Sequence, residues 1–203
     1  MKTAFVFCFL ILFSFLINAQ TVVVAVDKMN VFYLGVDNPV AIAIEGVSDE
    51  KLKVTIDNGE IIKKERGHYI AHLERTGTAN IIIEWDGQKV LKTFRVKQIP
   101  DPRIIIASRD RNSCAYGFTG LIASVENFNF DARCRVVSYT CTCNYKNEDS
   151  KQAQVNGITS DEVSRILSNL KKGDKVTFSN IKVMCPGDKV PRFIKDNIVQ
   201  IIE

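Results

Sequence analysis

Residues 20–113 contain no cysteine, and the whole 203-residue chain has one tryptophan, two histidines and five prolines. With 11 glycines besides, it is neither collagen-like nor low in complexity. A strong excess of one charge is also absent. Lys and Arg number 27 against 23 Asp and Glu, a net charge of +4 with histidine neutral. Nucleic-acid-binding domains show a stronger, clustered basic footprint, so that class of partner is excluded. Catalytic signatures are missing too. No GxSxG, GxxxxGK[ST], HExxH, GxGxxG or EF-hand loop occurs. What is present is ordinary globular material: 46% hydrophobic and 25% charged residues.

The one long apolar run lies at the start. Lys2 is a short positive region, Ala4–Ile17 is almost continuously apolar, and Asn18-Ala19 puts a small residue before Gln20. This pattern predicts a signal peptide over residues 1–19, cut after Ala19. Ala4–Ile17 is shorter than the roughly 17–25 residues a membrane helix needs. The expected mature chain is soluble, has 203 − 19 = 184 residues, and carries charge +4 − 1 = +3 once Lys2 is removed. It is exported, to the periplasm or beyond. Cys8 lies inside the apolar run and does not suit lipid attachment.

Five cysteines then remain: Cys114, Cys134, Cys141, Cys143 and Cys185. Export permits disulfides, and an odd count leaves at least one thiol unpaired or paired to another chain. All five are disulfide candidates of unknown pairing, with buried free thiols the alternative. Cys141 and Cys143 sit two apart on an expected strand, so they share a face and do not readily bond to each other. A zinc site needs further ligands close by, and His68 and His72 are distant in sequence. No metal or cofactor is expected.

Residues 21–98 read as short strands: 21–27, 31–35, 40–46, 52–56, 67–74, 78–85 and 89–97. Turn signals such as Asp37-Asn38-Pro39, Asp57-Asn58-Gly59 and Asp86-Gly87 separate them at roughly 8–12-residue spacing, the mark of a β-sandwich. Ile99-Pro100-Asp101-Pro102 is a stiff connector. Cysteine usage changes across it. The expected organisation is mostly β, with two β-rich domains in tandem that fold separately: an immunoglobulin-like sandwich over 20–98 and a sheet domain with one helix over 99–203. In the second domain, 104–108, 120–125, 133–143, 174–185 and 197–203 read as strands, and 144–154 as a polar loop or hairpin tip. The helix is expected at about 159–172, with Thr159 and Glu162 as a capping box and Val163, Ile166, Leu167 and Leu170 as its apolar stripe.

His68 and His72 have a metal-ligand spacing for a helix, but residues four apart on a strand lie ~13 Å apart. They read as polar-face histidines. Cys114, with Arg109 and Arg111 close in sequence, is a weak candidate nucleophile, lacking a base. The main charge feature is Arg103, Arg109, Arg111, Arg133 and Arg135, a candidate surface for an acidic partner or glycan. Asn127-Phe128-Asn129-Phe130-Asp131 alternates polar and aromatic residues, as a binding loop or, preferably, a strand entry that buries Phe128 and Phe130.

Lys28-Met29-Asn30-Val31-Phe32-Tyr33, Gly35-Val36-Asp37-Asn38-Pro39 and Gly46-Val47 resemble the third domain of the gliding-motility protein GldM family. Phe94 to Pro102 resembles that family's junction into its last domain. Phe128-Asn129-Phe130-Asp131-Ala132-Arg133, Val136 to Tyr139, Gly173 to Val176 and Phe178 to Ile181 with the Pro186-Gly187-Asp188 turn resemble the last domain. The resemblance covers nearly all of 21–203, in the family's order. It implies periplasmic, immunoglobulin-like domains of a dimeric, proton-driven motor serving type IX secretion and gliding, whose distal end meets outer-membrane-associated components. The family's membrane helix and helical bundle have no counterpart here, so motor activity is not implied. The expected function is a non-enzymatic binding or scaffold protein with a protein partner in the cell envelope, with a homodimer open. The alternative is a secreted or surface adhesive or glycan-binding sandwich.

Overall fold

The computed structural model describes residues 22–26, 30–109, 114–115, 117–195 and 197–203. The expected signal peptide and Arg111 lie outside the described residues. In the first half, eight strands build two four-stranded sheets: β1 (Val22–Val26), β2 (Val31–Tyr33), β3 (Asn38–Ile44), β4 (Lys53–Ile56), β5 (Glu60–Lys63), β6 (His68–His72), β7 (Gly77–Trp85) and β8 (Gln88–Lys97). One sheet runs β1-β3-β6-β5 and the other β2-β8-β7-β4. All pairings are antiparallel except β2 with β8. Alternation decides which side faces in. Val40, Ile42 and Ile44 of β3 point to the same core as Ile81, Ile83 and Trp85 of β7 and Phe94 and Val96 of β8. Residues from both sheets share one buried cluster, so this half is a sandwich. β5 is a strand beyond the seven expected. Its apolar content is only Ile61-Ile62 between charged neighbours, too little to read as periodic.

The second half has β9 (Arg103–Ser108), β10 (Phe118–Ser124), β11 (Arg135–Asn144), β12 (Lys151–Asn156), the helix α1 (Asp161–Leu167), β13 (Lys175–Met184), β14 (Arg192–Phe193) and β15 (Ile198–Ile201). β9 and β10 form a two-stranded ribbon. The main sheet runs β12-β11-β13, and β14 and β15 both pair with the far edge of β13. Tyr139, Cys141 and Cys143 of β11, Val176, Phe178, Ile181 and Val183 of β13, Leu121 of the ribbon and Val163, Ile166 and Leu167 of α1 form one core. Phe178 stacks on Phe118 at 5.6 Å and meets Tyr139 edge-on at 5.8 Å. The ribbon and the helix therefore cover one face of the main sheet.

Two local expectations are corrected. Of the segment 144–154, expected as a polar loop or hairpin tip, 145–150 join β11 to β12 and 151–154 belong to β12, where Ala153 and Val155 point inward while Gln152, Gln154 and Asn156 point out. The helix cap is Ser160, not Thr159. Ser160 has extended backbone angles, and its Oγ accepts from the Val163 N–H at 3.2 Å. With the cap one residue later, Glu162 is not at the third helical position, and the helix closes after seven residues.

Candidate functional site

Three features remain after the two cores are built: a seam between the halves, a group of buried thiols, and the uncovered face of the main sheet. The seam holds a third apolar cluster. Val36 and Ile99 of the first half and connector are buried there with Cys185, and Tyr33, Phe128, Phe130 and Cys134 pack against them. Tyr33 meets Phe128 at 4.8 Å and Phe130 at 5.2 Å, both edge-on. Phe128 and Phe130 are half-buried on a loop between β10 and β11, not at a strand entry. Cys134 and Cys185, Cα atoms 4.1 Å apart, form the disulfide beneath them. Arg192 closes the edge. Its guanidinium donates to Asp188 at 2.6 and 2.9 Å, to Asp101 at 3.2 Å, and to the Ile99 carbonyl. Asp188 also accepts from the Cys185 N–H at 2.8 Å. Gly35 and Gly187 approach here at φ +74° and +79°, and a Cβ on Gly35 would overlap the Gly187 backbone. The connector is thus anchored, with Ile99 1% exposed, and side chains of both halves pack in this third cluster.

The remaining three cysteines are buried free thiols. Burial pushes Cys114 up to about 11, and Cys141, hydrogen-bonded to Cys143 and buried, is pushed up as well. A buried, protonated thiol is a poor nucleophile, so the geometry does not support Cys114 in that role. Among the described residues no group of three or more His, Cys, Asp or Glu side chains is arranged to hold a metal ion. His68 and His72 lie on β6, where His72 is engaged by Asp37 at 2.8 Å and Glu60 at 3.2 Å.

The four described arginines do not gather into one patch. Arg103 and Arg109 stand at opposite ends of β9, six residues and therefore ~20 Å apart. Arg103 pairs with Glu126 at 3.0 Å and Arg133 with Asp131 at 3.5 Å, both exposed contacts of little energetic weight. Arg109 lies over Gly117, and Arg135 is exposed at the start of β11.

The outer face of the main sheet was not singled out by sequence reasoning. Across β12 and β11 it is built of neutral polar side chains: Gln152, Gln154 and Asn156 of β12 lie opposite Thr142, Thr140 and Ser138 of β11. The register of β11 against β13 shifts twice, at Val136/Ser138 and Ser138/Thr140. Asn180 adopts φ +52° there. These irregularities bend the strands and open a shallow hollow. Ser138, Thr140, Gln154, Asn156 and Asn180 line it, with Lys182 and Phe193 on its rim. Asn180 donates to the Thr140 hydroxyl at 3.3 Å and Gln152 to Thr142 at 3.0 Å. The alternation Gln152-Ala153-Gln154-Val155-Asn156 was the available signal for this face, hidden inside a segment rich in polar residues.

Comparison with known proteins bears on the whole chain. The family model described as GldM third domain matches residues 21–97, and the one described as GldM C-terminal domain matches residues 100–202. No curated protein matches. Among solved structures, domains 5–6 of the S-layer protein SbsC align over 91% of this chain and 98% of that one. The identity is 11% and the TM-score 0.30, too low to carry an argument about fold.

Proposed function

Because the chain belongs to the GldM family, matched in order over 21–97 and 100–202, we propose that it is an exported, non-enzymatic binding or scaffold protein of the cell envelope. It serves type IX secretion or gliding. The ordered pair of domain matches is the observation that carries the reading. Residues 1–19 act as its signal peptide, 20–98 as the third-domain-like unit and 99–203 as the C-terminal-domain-like unit. Among the described residues no helix is long and apolar enough to cross a membrane. The buried thiols and the missing catalytic motifs favour binding over chemistry.

The second unit is the one that meets the partner, through Arg103, Arg109, Arg133 and Arg135, all four exposed, together with Arg111. Arg suits planar, bidentate contact with carboxylates. Scattered arginines act chiefly on encounter, so their effect belongs in the association rate. The test uses the whole mature chain, because the shared seam makes isolated halves unsuitable. Tagged protein and an Arg109→Glu/Arg111→Glu variant are passed over envelope extract, and captured components are identified and re-measured in purified form. Specific capture of secretion or gliding components is expected, with the variant binding several-fold more slowly at low salt. Failure to capture any such component refutes the assignment. Equal capture by the variant moves the site off the arginines.

A further inference from the structure

The hollow on the outer face of the main sheet is shaped by a single cross-strand row. Asn156 of β12 pairs with Ser138 of β11, Ser138 with Lys182 of β13, and Lys182 with Phe193 of β14. Neighbouring strands lie ~4.8 Å apart, so the row runs roughly 14 Å from the Asn156 amide to the Phe193 ring. That is the length of two to three linked sugar rings. Along it stand side chains that both donate and accept hydrogen bonds: the amides of Gln154, Asn156 and Asn180 and the hydroxyls of Ser138 and Thr140. A ligand dense in hydroxyl groups matches such a surface better than a peptide side chain does. The Phe193 ring on the rim is 55% exposed, and it offers the flat apolar surface on which the C–H face of a sugar ring stacks. Lys182 is exposed, lines the hollow, and has no ion-pair partner among the described residues. No carboxylate lines the hollow. The charge therefore asks for an anion.

We propose that this hollow is a binding site for an anionic saccharide. Lys182 meets its carboxylate or phosphate, the amides and hydroxyls its hydroxyl groups, and Phe193 one ring face. The Asn180 backbone at φ +52° and the two register shifts hold the hollow open before the ligand arrives, which limits the ordering cost of binding. The site goes beyond the protein-binding role proposed above and does not depend on it, since it uses none of the five arginines.

The test is binding of the whole mature protein to an array of immobilised saccharides carrying uronic acid, sialic acid or sugar phosphate, each beside its neutral counterpart and beside acidic peptides. Retention by at least one anionic saccharide is expected. The matching neutral saccharide should bind at least fivefold more weakly, and Phe193→Ala and Lys182→Gln should each weaken retention at least tenfold. Both replaced side chains are exposed, so both variants should fold, and unchanged thermal midpoints confirm it. Lys182→Arg should keep most of the binding. Retention of no saccharide overturns the proposal, as does equal binding by wild type and both variants, or retention of acidic peptides alone.

Discussion

The first half of the molecule closes two four-stranded sheets on each other, whereas the second half packs a two-stranded ribbon and a helix against its main sheet. In the sandwich, alternate residues of β3, β7 and β8 all reach the same core, and the polar positions between them face solvent. In the second half a two-stranded ribbon and a seven-residue helix cover one face, and the other carries amides, hydroxyls, Lys182 and Phe193. The comparison teaches where recognition has room. Both halves leave sheet faces to solvent, but the sandwich strands pair in regular register, while the shifts between β11 and β13 leave a prepared concavity. Cysteine follows the same division. Each of the five beyond the expected leader lies in the half whose core is less completely enclosed by sheets.

Five experiments test that difference. The largest effect is expected from the disulfide. Cys134 and Cys185 enclose 51 residues, which include β11, β12, α1 and β13, and a loop of that length is worth about 4 kcal/mol by chain entropy. Cys134→Ser/Cys185→Ser should lower second-half stability by about 2–4 kcal/mol in guanidinium titrations. If the sandwich, followed through its single Trp85, loses the same amount, the two halves are one cooperative unit. Reducing agent that leaves the unfolding midpoint in place would show that the bond does not form.

Next comes the seam. Tyr33→Ala removes a half-buried ring that touches both Phe128 and Phe130, an expected cost of about 2 kcal/mol. Differential calorimetry should resolve the single transition of the wild type into two. An unchanged single peak would mean that coupling rests on the connector and Arg192 instead. The connector bears on the same point. Limited proteolysis of the wild type should spare residues 98–103, since Ile99 is buried and its carbonyl accepts from Arg192, and cutting there should appear in Arg192→Ala.

A smaller effect separates the two readings of the helix start. Ser160→Ala should cost about 1 kcal/mol, while Thr159→Ala should leave the denaturant midpoint in place. The reverse result would restore the capping box at Thr159.

The smallest effect belongs to the sandwich. Glu60 and Asp37 both engage the His72 ring and raise its pKa above the ordinary histidine value. Because the folded pKa is the higher one, the stabilisation is fully present below about 6.5, the unfolded value, and is lost as pH rises through the folded pKa. The side chain is 40% exposed, so screening limits the contribution to a few tenths of a kcal/mol. Urea midpoints should therefore drift down across that window in the wild type and stay flatter in His72→Gln. Identical profiles would show that the contacts carry no net energy.

Much of the fold was legible because strand alternation is a local signal. β3, β7, β8 and β13 declare their buried faces within seven to ten residues, and Val163, Ile166 and Leu167 mark one helical stripe. β5 and β12 were missed because two apolar residues make no period and because a Gln/Asn-rich strand imitates a loop. The candidate hollow was less legible still. Each of its side chains looks like ordinary solvated polarity until register sets Asn156, Ser138, Lys182 and Phe193 in one row.

By itself, then, the amino-acid sequence determined most of the strands and the family, since each depends on neighbours in the chain. Only the tertiary structure decided that Cys134 bonds to Cys185 and that Cys141 and Cys143 stay free. It likewise decided that Arg192 reaches back 93 residues to Ile99, and that the outer sheet face stays open. Periodicity states which side of a strand is apolar. It does not state which distant segment covers that side, because that choice is made by long-range contacts whose energies depend on the whole packed arrangement.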